Sequence, residues 1–250
     1  MDSDDIALPE RFHKQVALLE SRPEIGICGT FFLAFGDHSF IADMPVTDLE
    51  IREVMLTNNP LGHPTVMIRK SIIDDYNFRY KYDAVPVEDY FMWYEISKVT
   101  QLHNLPDILL KYRRHDSQIS VVKNETQRLN VNELRLTQLL DKGFVLSDEE
   151  QRLYCAIVDN SIQSNNKNKF ITIISLMLKI TLQNKKTKAY RPVVFKKIFS
   201  NSWNRLVREI QIHNPNHIYY ALINTRYVSS SLTLTEKLRF GLKSLLSWKI

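Results

Sequence analysis

Apolar positions along the first half of the chain switch between helical and strand-like spacing, and the switches mark its elements. Over residues 8–21 they fall at Phe12, Val16 and Leu19, with Ala17 and Leu18 beside them, which predicts an amphipathic helix ended by Arg22-Pro23. Residues 25–33 (IGICGTFFL) are dense in β-branched and aromatic types and predict a buried strand whose glycines let another backbone come close. Residues 36–39 read as a turn, and Phe40-Ile41-Ala42 as a returning hairpin strand. Thr47 with Glu50 three positions on is a capping box, opening a helix over 51–57. A loop over 58–64, a short strand over 65–69 and a small helix over 70–75 follow. A loop rich in Tyr and charge, 76–86, leads into a helix over 87–97. Residues 101–105 and 108–113 predict two short strands split by Pro106-Asp107.

Beyond residue 123 the pattern is helical. Leu134, Leu136, Leu139 and Leu140 stripe one helix, and Ser147-Asp148-Glu149-Glu150 is a capping signature for another that carries Leu153, Ile157 and Val158. An Asn- and Lys-rich stretch, 160–169, reads as a loop or helix end, and 170–182 as an apolar helix. That run includes Lys179 and is shorter than the ~20 residues a membrane span needs. Segments 193–199, 203–212 and 219–224 come next, and a last helix, 234–246, puts Leu238, Leu242, Leu245 and Leu246 on one face. The expected class is α/β: a mixed sheet with flanking helices, followed by an all-α region.

Composition adds a division that the pattern alone does not show. The 250 residues are 44% hydrophobic, enough to bury one large or two small cores. The net charge of +5 splits into −7 over residues 1–122 (12 Lys+Arg, 19 Asp+Glu) and +12 over 123–250 (21 against 9). Two domains, 1–122 and 123–250, are expected. An acidic half suits a metal or sugar site; the basic half reads either as a face for an anionic partner or as solvated helix surfaces. Its cations are not interleaved with aromatics, so no nucleic acid is expected. The last helix, with Lys237, Arg239 and Lys243, reads either as a peripheral contact with an anionic membrane or as a packed helix with snorkelling lysines. Cys28 and Cys155 form neither a disulfide framework nor a zinc motif, and residues 2–10 cannot build a signal peptide, so a cytoplasmic location is expected, at most peripheral at the inner face of the membrane.

Three stretches carry candidate chemistry. Asp2, Asp4 and Asp5 crowd three carboxylates into four positions, which holds a cation or else starts a helix. Glu88 and Asp89 point about 100° apart on a helix, so one or both sit at its mouth, where a catalytic carboxylate belongs. Phe91, Trp93 and Tyr94 in the same helix suit the core better than a sugar platform. His115 follows Arg113-Arg114, and a lone His is a hydrogen-bonded surface residue more readily than a ligand.

Asp-Ser-Asp-Asp-Ile-Ala-Leu-Pro-Glu-Arg-Phe at 2–12, Arg-Pro-Glu-Ile-Gly-Ile-Cys-Gly at 22–29, His-Pro-Thr-Val-Met-Ile-Arg at 63–69, Glu-Asp-Tyr at 88–90 with Trp93, and Tyr112-Arg113 with His115 and Ser120 stand in one order. In that order they resemble family 2 of the inverting nucleotide-sugar glycosyltransferases, over residues 1 to about 122, close to half of the chain. The resemblance implies a partial GT-A fold and transfer of a hexosyl group from a nucleotide-sugar donor to a hydroxyl of a glycan or lipid-linked acceptor. It also implies that Asp2 and Asp4 are the ends of a D-x-D motif holding Mn²⁺ or Mg²⁺, hard cations suited to carboxylate oxygens. His115 joins the metal set, Asp89 is the general base, and Glu88 supports it. Asp5, which is also expected to cap the following helix, His63, Trp93, Arg113 and Arg114 are the substrate-binding set, the arginines balancing phosphate charge.

The chain departs from the family at Phe91 and Glu95, where relatives often show an acidic and a basic residue. It also begins at the D-x-D motif, without the preceding nucleotide-binding βαβ half, so this chain is expected to be truncated and weak or inactive with nucleotide sugars. The alternative expectation is a non-catalytic structural or partner-binding remnant.

Overall fold

The computed structural model describes residues 1, 3–36, 39–114, 124–159, 161–162, 167–200 and 202. Among the expectations above, Asp2, His115, the turn at Asp37-His38 and the helices placed after residue 202 lie outside these residues. The chain divides into two compact units, residues 1–138 and 139–250.

The first unit is built on a mixed sheet flanked by helices. In chain order it contains β1 (Ile6–Ala7), α1 (Arg11–Ser21), β2 (Ile25–Gly36), β3 (Phe40–Ala42), α2 (Asp48–Met55), β4 (Met67–Ile68), α3 (Lys70–Asp75), α4 (Glu88–Ser97) and β5 (Gln101–Arg114). Helix α5 (Asn124–Asp141) follows. The strand order is β1-β5-β2-β3, and β4 pairs with β2 beside Ile27 and Cys28. Strands β2 and β5 are parallel; every other pairing is antiparallel.

The expected pair of strands at 101–113 is one long strand. Thr30 stands opposite Leu105, and Phe31 opposite Ile108, so Pro106 and Asp107 are accommodated as a bulge. A proline cannot donate to the ladder, and a bulge removes the need for it to do so. Asp107 turns outward to Lys14 of α1 at 2.7 Å. Helix α1 begins at Arg11, three residues later than expected, and Asp5 does not cap it: its carboxylate accepts from the Arg113 backbone N–H at 3.1 Å, tying β1 to β5.

The core lies between the sheet and helices α2, α4 and α5. Ile27, Ile51, Met55, Leu61, Trp93, Ile96, Leu102 and Leu134 are buried in one cluster. Helix α4 contributes Tyr90 through Tyr94 to burial, all round rather than on one stripe, which is why its sequence lacks a polar face beyond Glu88, Asp89 and Glu95. Helix α2 has the expected capping box, Thr47 with Glu50.

Buried polar side chains fix the loops of this unit. Asn104 donates to the carbonyls of Pro45 (2.7 Å) and Pro60 (3.0 Å). It reaches Pro60 only because position 29 has no side chain: a Cβ on Gly29 would stand 2.1 Å from Asn104 Oδ1. Gln15 donates to the carbonyls of Cys28 and Thr65, both at 2.9 Å, and accepts from Arg11 Nε at 3.1 Å. From α5, Arg135 donates to the Thr57 carbonyl and Gln138 to the Met55 carbonyl; Tyr90 of α4 also donates to Met55. These bonds satisfy carbonyls that the C-terminal turn of α2 leaves unpaired.

In the second unit, α6 (Asp148–Val158) begins at the expected capping box, Ser147 with Glu150, and is followed by α7 (Lys167–Thr187) and a helix over 192–200. Phe144, Tyr190, Phe195 and Phe199 form a chain of ring contacts, and Lys179 pairs with Glu150 at 2.6 Å. Among the described residues no helix is long and apolar enough to cross a membrane.

Gly29→Ala is expected to destabilise the first unit by about 1–3 kcal/mol, because Asn104 must give up its position or the strands must part. A urea unfolding midpoint equal to that of the parent chain would contradict this account of the close approach.

Candidate active site

Helix α4 passes to β5 across residues 98–100, so its C-terminus lies at the start of that strand and its N-terminus at the opposite end. Glu88 and Asp89 stand beside the loop 59–65, which lies against the middle of β2 and β5 at Gly29, Thr30, Phe32 and Asn104.

Asp89 is the organising group. Its side chain is 14% exposed, and Oδ2 accepts from Asn59 Nδ2 at 2.9 Å while His63 Nδ1 lies 3.9 Å away. Oδ1 accepts from the Tyr90 backbone N–H at 2.7 Å, a donor in the first helical turn. Burial pushes the Asp89 carboxyl above the ordinary aspartate range, against the pull of His63, Tyr90 N–H and Asn59, and Glu88 adds to the upward shift. Glu88 Oε2 is buried and has no hydrogen-bond partner. Two adjacent carboxyls thus stand at a helix mouth, one held by donors and one with a buried oxygen left unbonded.

His63 sits on a short 3₁₀ turn, residues His63–Thr65, whose shape is set by Thr65. The Thr65 hydroxyl donates to the Gly62 carbonyl at 2.7 Å and accepts from Thr30 N–H at 3.2 Å, while Gln15 holds the Thr65 carbonyl. His63 is left half exposed, with Nε2 3.3 Å from the Tyr80 hydroxyl and its ring edge-on to Trp93 at 6.0 Å. Trp93 is fully buried and its Nε1–H has no protein partner, so it contacts His63 from beneath and offers solvent no face. The Tyr80 phenol is pushed up by burial first, then by Asp89 and Glu88, which places it among the same charges.

A second group lies at the ends of β1 and β5. The Arg113 guanidinium packs over the Phe35 ring at 4.6 Å, and its Nε donates to the Asp4 carbonyl at 3.4 Å. Arg114 lies over Phe40 at 5.7 Å. The Tyr112 ring meets Phe32 at 5.7 Å, and Phe32 lies against Gly62, the neighbour of His63. Side chains alternate across a strand, so the Tyr112 and Phe32 contact, which faces Gly62, and the Arg113 and Phe35 contact lie on opposite faces of the β2 and β5 pair. Among the described residues no three His, Cys, Asp or Glu side chains gather as a metal site. Of the three ligands expected from sequence, only Asp4 is described, partly exposed beside Arg113. One or two carboxylates are nonetheless a fitting donor set for an Mg²⁺-like ion that keeps waters and takes further oxygens from a phosphate.

The structure brings Asp89, Glu88, His63 and Trp93 into one cluster. Asn59 and Tyr80 belong to it as well and were missed by sequence reasoning, since Asn59 sits in a loop that looks like any Asn-Asn-Pro turn. The loop preceding α4 was legible only as Tyr-rich.

No family model matches the chain. Curated relatives include the amylovoran biosynthesis glycosyltransferase AmsE of Erwinia amylovora, 31% identical over 51% of this chain and 50% of that protein. Two glycosyltransferases of Haemophilus influenzae described as uncharacterised are 30% identical over 57% of this chain and 48% of theirs, and 34% identical over 48% and 45%. Over about half of its length, then, the chain is homologous to glycosyltransferases, and it spans about half the length of the curated relatives it matches.

Asn59→Ala removes a bond that favours the ionised carboxylate, and Glu88→Gln removes a like charge. In a carboxyl-carbon NMR titration of this chain, the Asp89 midpoint should therefore rise in the first variant and fall in the second. Because the folded Asp89 binds its proton more tightly than the unfolded residue does, its contribution to stability is complete below the unfolded pKa and is lost as pH rises through the folded value. Shifts of the opposite sign would mean that Asn59 and Glu88 act on Asp89 in some other way.

Proposed function

We propose that this chain carries the acceptor-activating half of a glycosyltransferase of the inverting, family 2 type. The observation that carries the proposal is the Asp89 carboxylate, nearly withdrawn from water at a helix mouth and oriented by Asn59 and His63, in a chain homologous to glycosyltransferases.

In this reading Asp89 accepts the proton of an acceptor hydroxyl. The freed oxygen pair forms a bond to the anomeric carbon of the donor sugar, the bond from that carbon to the diphosphate oxygen breaks on the opposite face, and the configuration inverts. Asn59 holds one carboxylate oxygen and the Tyr90 N–H the other, so a fixed geometry faces the hydroxyl. A raised pKa makes Asp89 a stronger base than an exposed aspartate. Glu88 adds to the upward shift of the base, and Trp93 supports His63 from the core.

Arg113 and Arg114 are assigned to the donor diphosphate. Asp2, Asp4 and His115 are assigned to Mn²⁺ or Mg²⁺, which when bound would neutralise the charge of the departing diphosphate. The donor is a nucleotide sugar and the acceptor a glycan or a lipid-linked glycan. The basic segment 232–250 is assigned a peripheral contact with anionic lipid on its sequence alone.

Asp89→Asn is expected to lower transfer by about 10²–10⁴-fold with the fold intact, measured as release of nucleoside diphosphate and incorporation of labelled sugar in a polypeptide that contains this chain. Chelation with EDTA should abolish the same signal, and Mn²⁺ or Mg²⁺ should restore it. Full transfer by Asp89→Asn would remove the assignment of the base, and transfer indifferent to EDTA would remove the metal. For the basic segment, pelleting with anionic liposomes should decline with salt and disappear on deletion of residues 232–250; equal pelleting of both forms would refute the contact.

A further inference from the structure

The segment between α3 and α4 carries an aromatic residue at every second position: Tyr76, Phe78, Tyr80 and Tyr82. Phe78 packs against the core cluster, and Tyr76 stacks on it with ring centres 5.7 Å apart and planes 20° from parallel. Tyr76 and Tyr80 are about half exposed, and Tyr82 is 97% exposed. Single exposed aromatics are ordinary, but three within seven residues form a patch that burial against a ligand would stabilise.

This patch begins at the candidate base. The Tyr80 hydroxyl is 3.3 Å from His63 Nε2, and the other nitrogen of that ring is 3.9 Å from Asp89 Oδ2. Tyr82 follows two positions on, at the start of a short 3₁₀ turn, residues 82–84. The intervening cations are engaged with the chain itself: Arg79 donates to the Phe78 carbonyl at 2.7 Å, and Lys81 Nζ lies 5.1 Å over the Phe91 ring. Both side chains remain exposed, but Asp74 and Asp75 at the end of α3 and Asp83 of the same segment offset them, so exposed rings with hydroxyl tips stand beside Asp89 without an excess of positive charge. The C–H face of a pyranose packs on such rings, and its hydroxyls exchange hydrogen bonds with the phenols.

We propose that Tyr76, Tyr80 and Tyr82 form the acceptor platform, along which a neutral glycan chain lies with its terminal hydroxyl presented to Asp89. The assignment rests on the glycosyltransferase reading above and gives that reading an acceptor side, distinct from the Asp4 and Arg113 side given to the donor. It also names the acceptor class: an uncharged oligosaccharide of several rings, since one sugar at Asp89 would leave Tyr82 uncovered.

Saturation-transfer NMR in the absence of any donor tests the platform on its own. The probes are cellohexaose, maltohexaose and chitohexaose, with a galacturonic acid hexamer as the anionic arm. At least one neutral hexamer is expected to receive saturation from the aromatic protons and to bind more tightly than the anionic one. Tyr82→Ala, at a nearly fully exposed position that the fold does not need, should weaken that binding about tenfold, and Tyr80→Ala likewise. Phe12→Ala, which removes an exposed ring from α1, should leave it unchanged. Failure of every neutral hexamer to bind, tighter binding of the anionic hexamer, unchanged binding by Tyr82→Ala, or an equal loss with Phe12→Ala would overturn the platform. Binding with these signatures, alongside transfer that is insensitive to Asp89→Asn, would uphold the platform and count against the glycosyltransferase reading instead.

Discussion

A carboxylate that is mostly withdrawn from water is costly unless donors replace its hydration, and Asp89 has two donors in contact and an imidazole nearby. The donors are the Tyr90 N–H of its own helix and the carboxamide of Asn59; the His63 ring stands 3.9 Å away, beyond hydrogen-bond reach. A hydrogen bond to a charged group contributes about 1.5–3 kcal/mol, and burial outweighs the two of them, as the upward shift of the carboxyl shows. Asn59 and His63 both come from loops. A loop supplies a donor to a fixed point only if it is itself fixed, and the rest of the first unit does this.

The Asn59 loop follows α2, whose last carbonyls are held from α4 and α5 by Tyr90, Arg135 and Gln138. Its far side is tied by Asn104 to the Pro60 carbonyl, through the gap left at Gly29. His63 is fixed from below by Thr65 and Gln15, the latter reaching from α1 to β2 and the 3₁₀ turn together. Buried polar side chains are thus spent on positioning, in a region where an all-apolar core would pack with less desolvation but would leave the loops unplaced. Helix α5 belongs to this scaffold. Val131 and Leu134 pack into the first unit's core, and Asn130 donates to the Val85 carbonyl just before α4.

Local features were legible in the sequence because their causes are local. The Thr47 and Ser147 capping boxes needed only four residues each, and the apolar run at 25–33 needed only its own composition to declare a buried strand. Glu88 and Asp89 could be placed at a helix mouth because two adjacent carboxylates cannot both face a core. Strand β5 was read as two because a proline usually ends pairing, and only the partner strand reveals that a bulge absorbs it. Asn59, Tyr80 and the anchors Gln15 and Asn104 were illegible for a different reason. Each acts on a group 13 or more positions away in the chain, and nothing in its own neighbourhood distinguishes it from a turn or surface residue.

The two ends of the site differ in chemistry, and the difference follows from where each is built. The Asp4, Asp5 and Arg113 end sits on strand termini, where backbone donors and stacked guanidinium groups are available, and such groups suit phosphate oxygens. The Asp89 end sits at a helix mouth bordered by an irregular segment, where exposed rings cost the sheet nothing because no ladder passes through them. Tyr112 and Phe32 meet on one face of β2 and β5 while Arg113 and Phe35 meet on the other, so the pleat of this parallel pair, and not the loops, sets how the two groups are disposed.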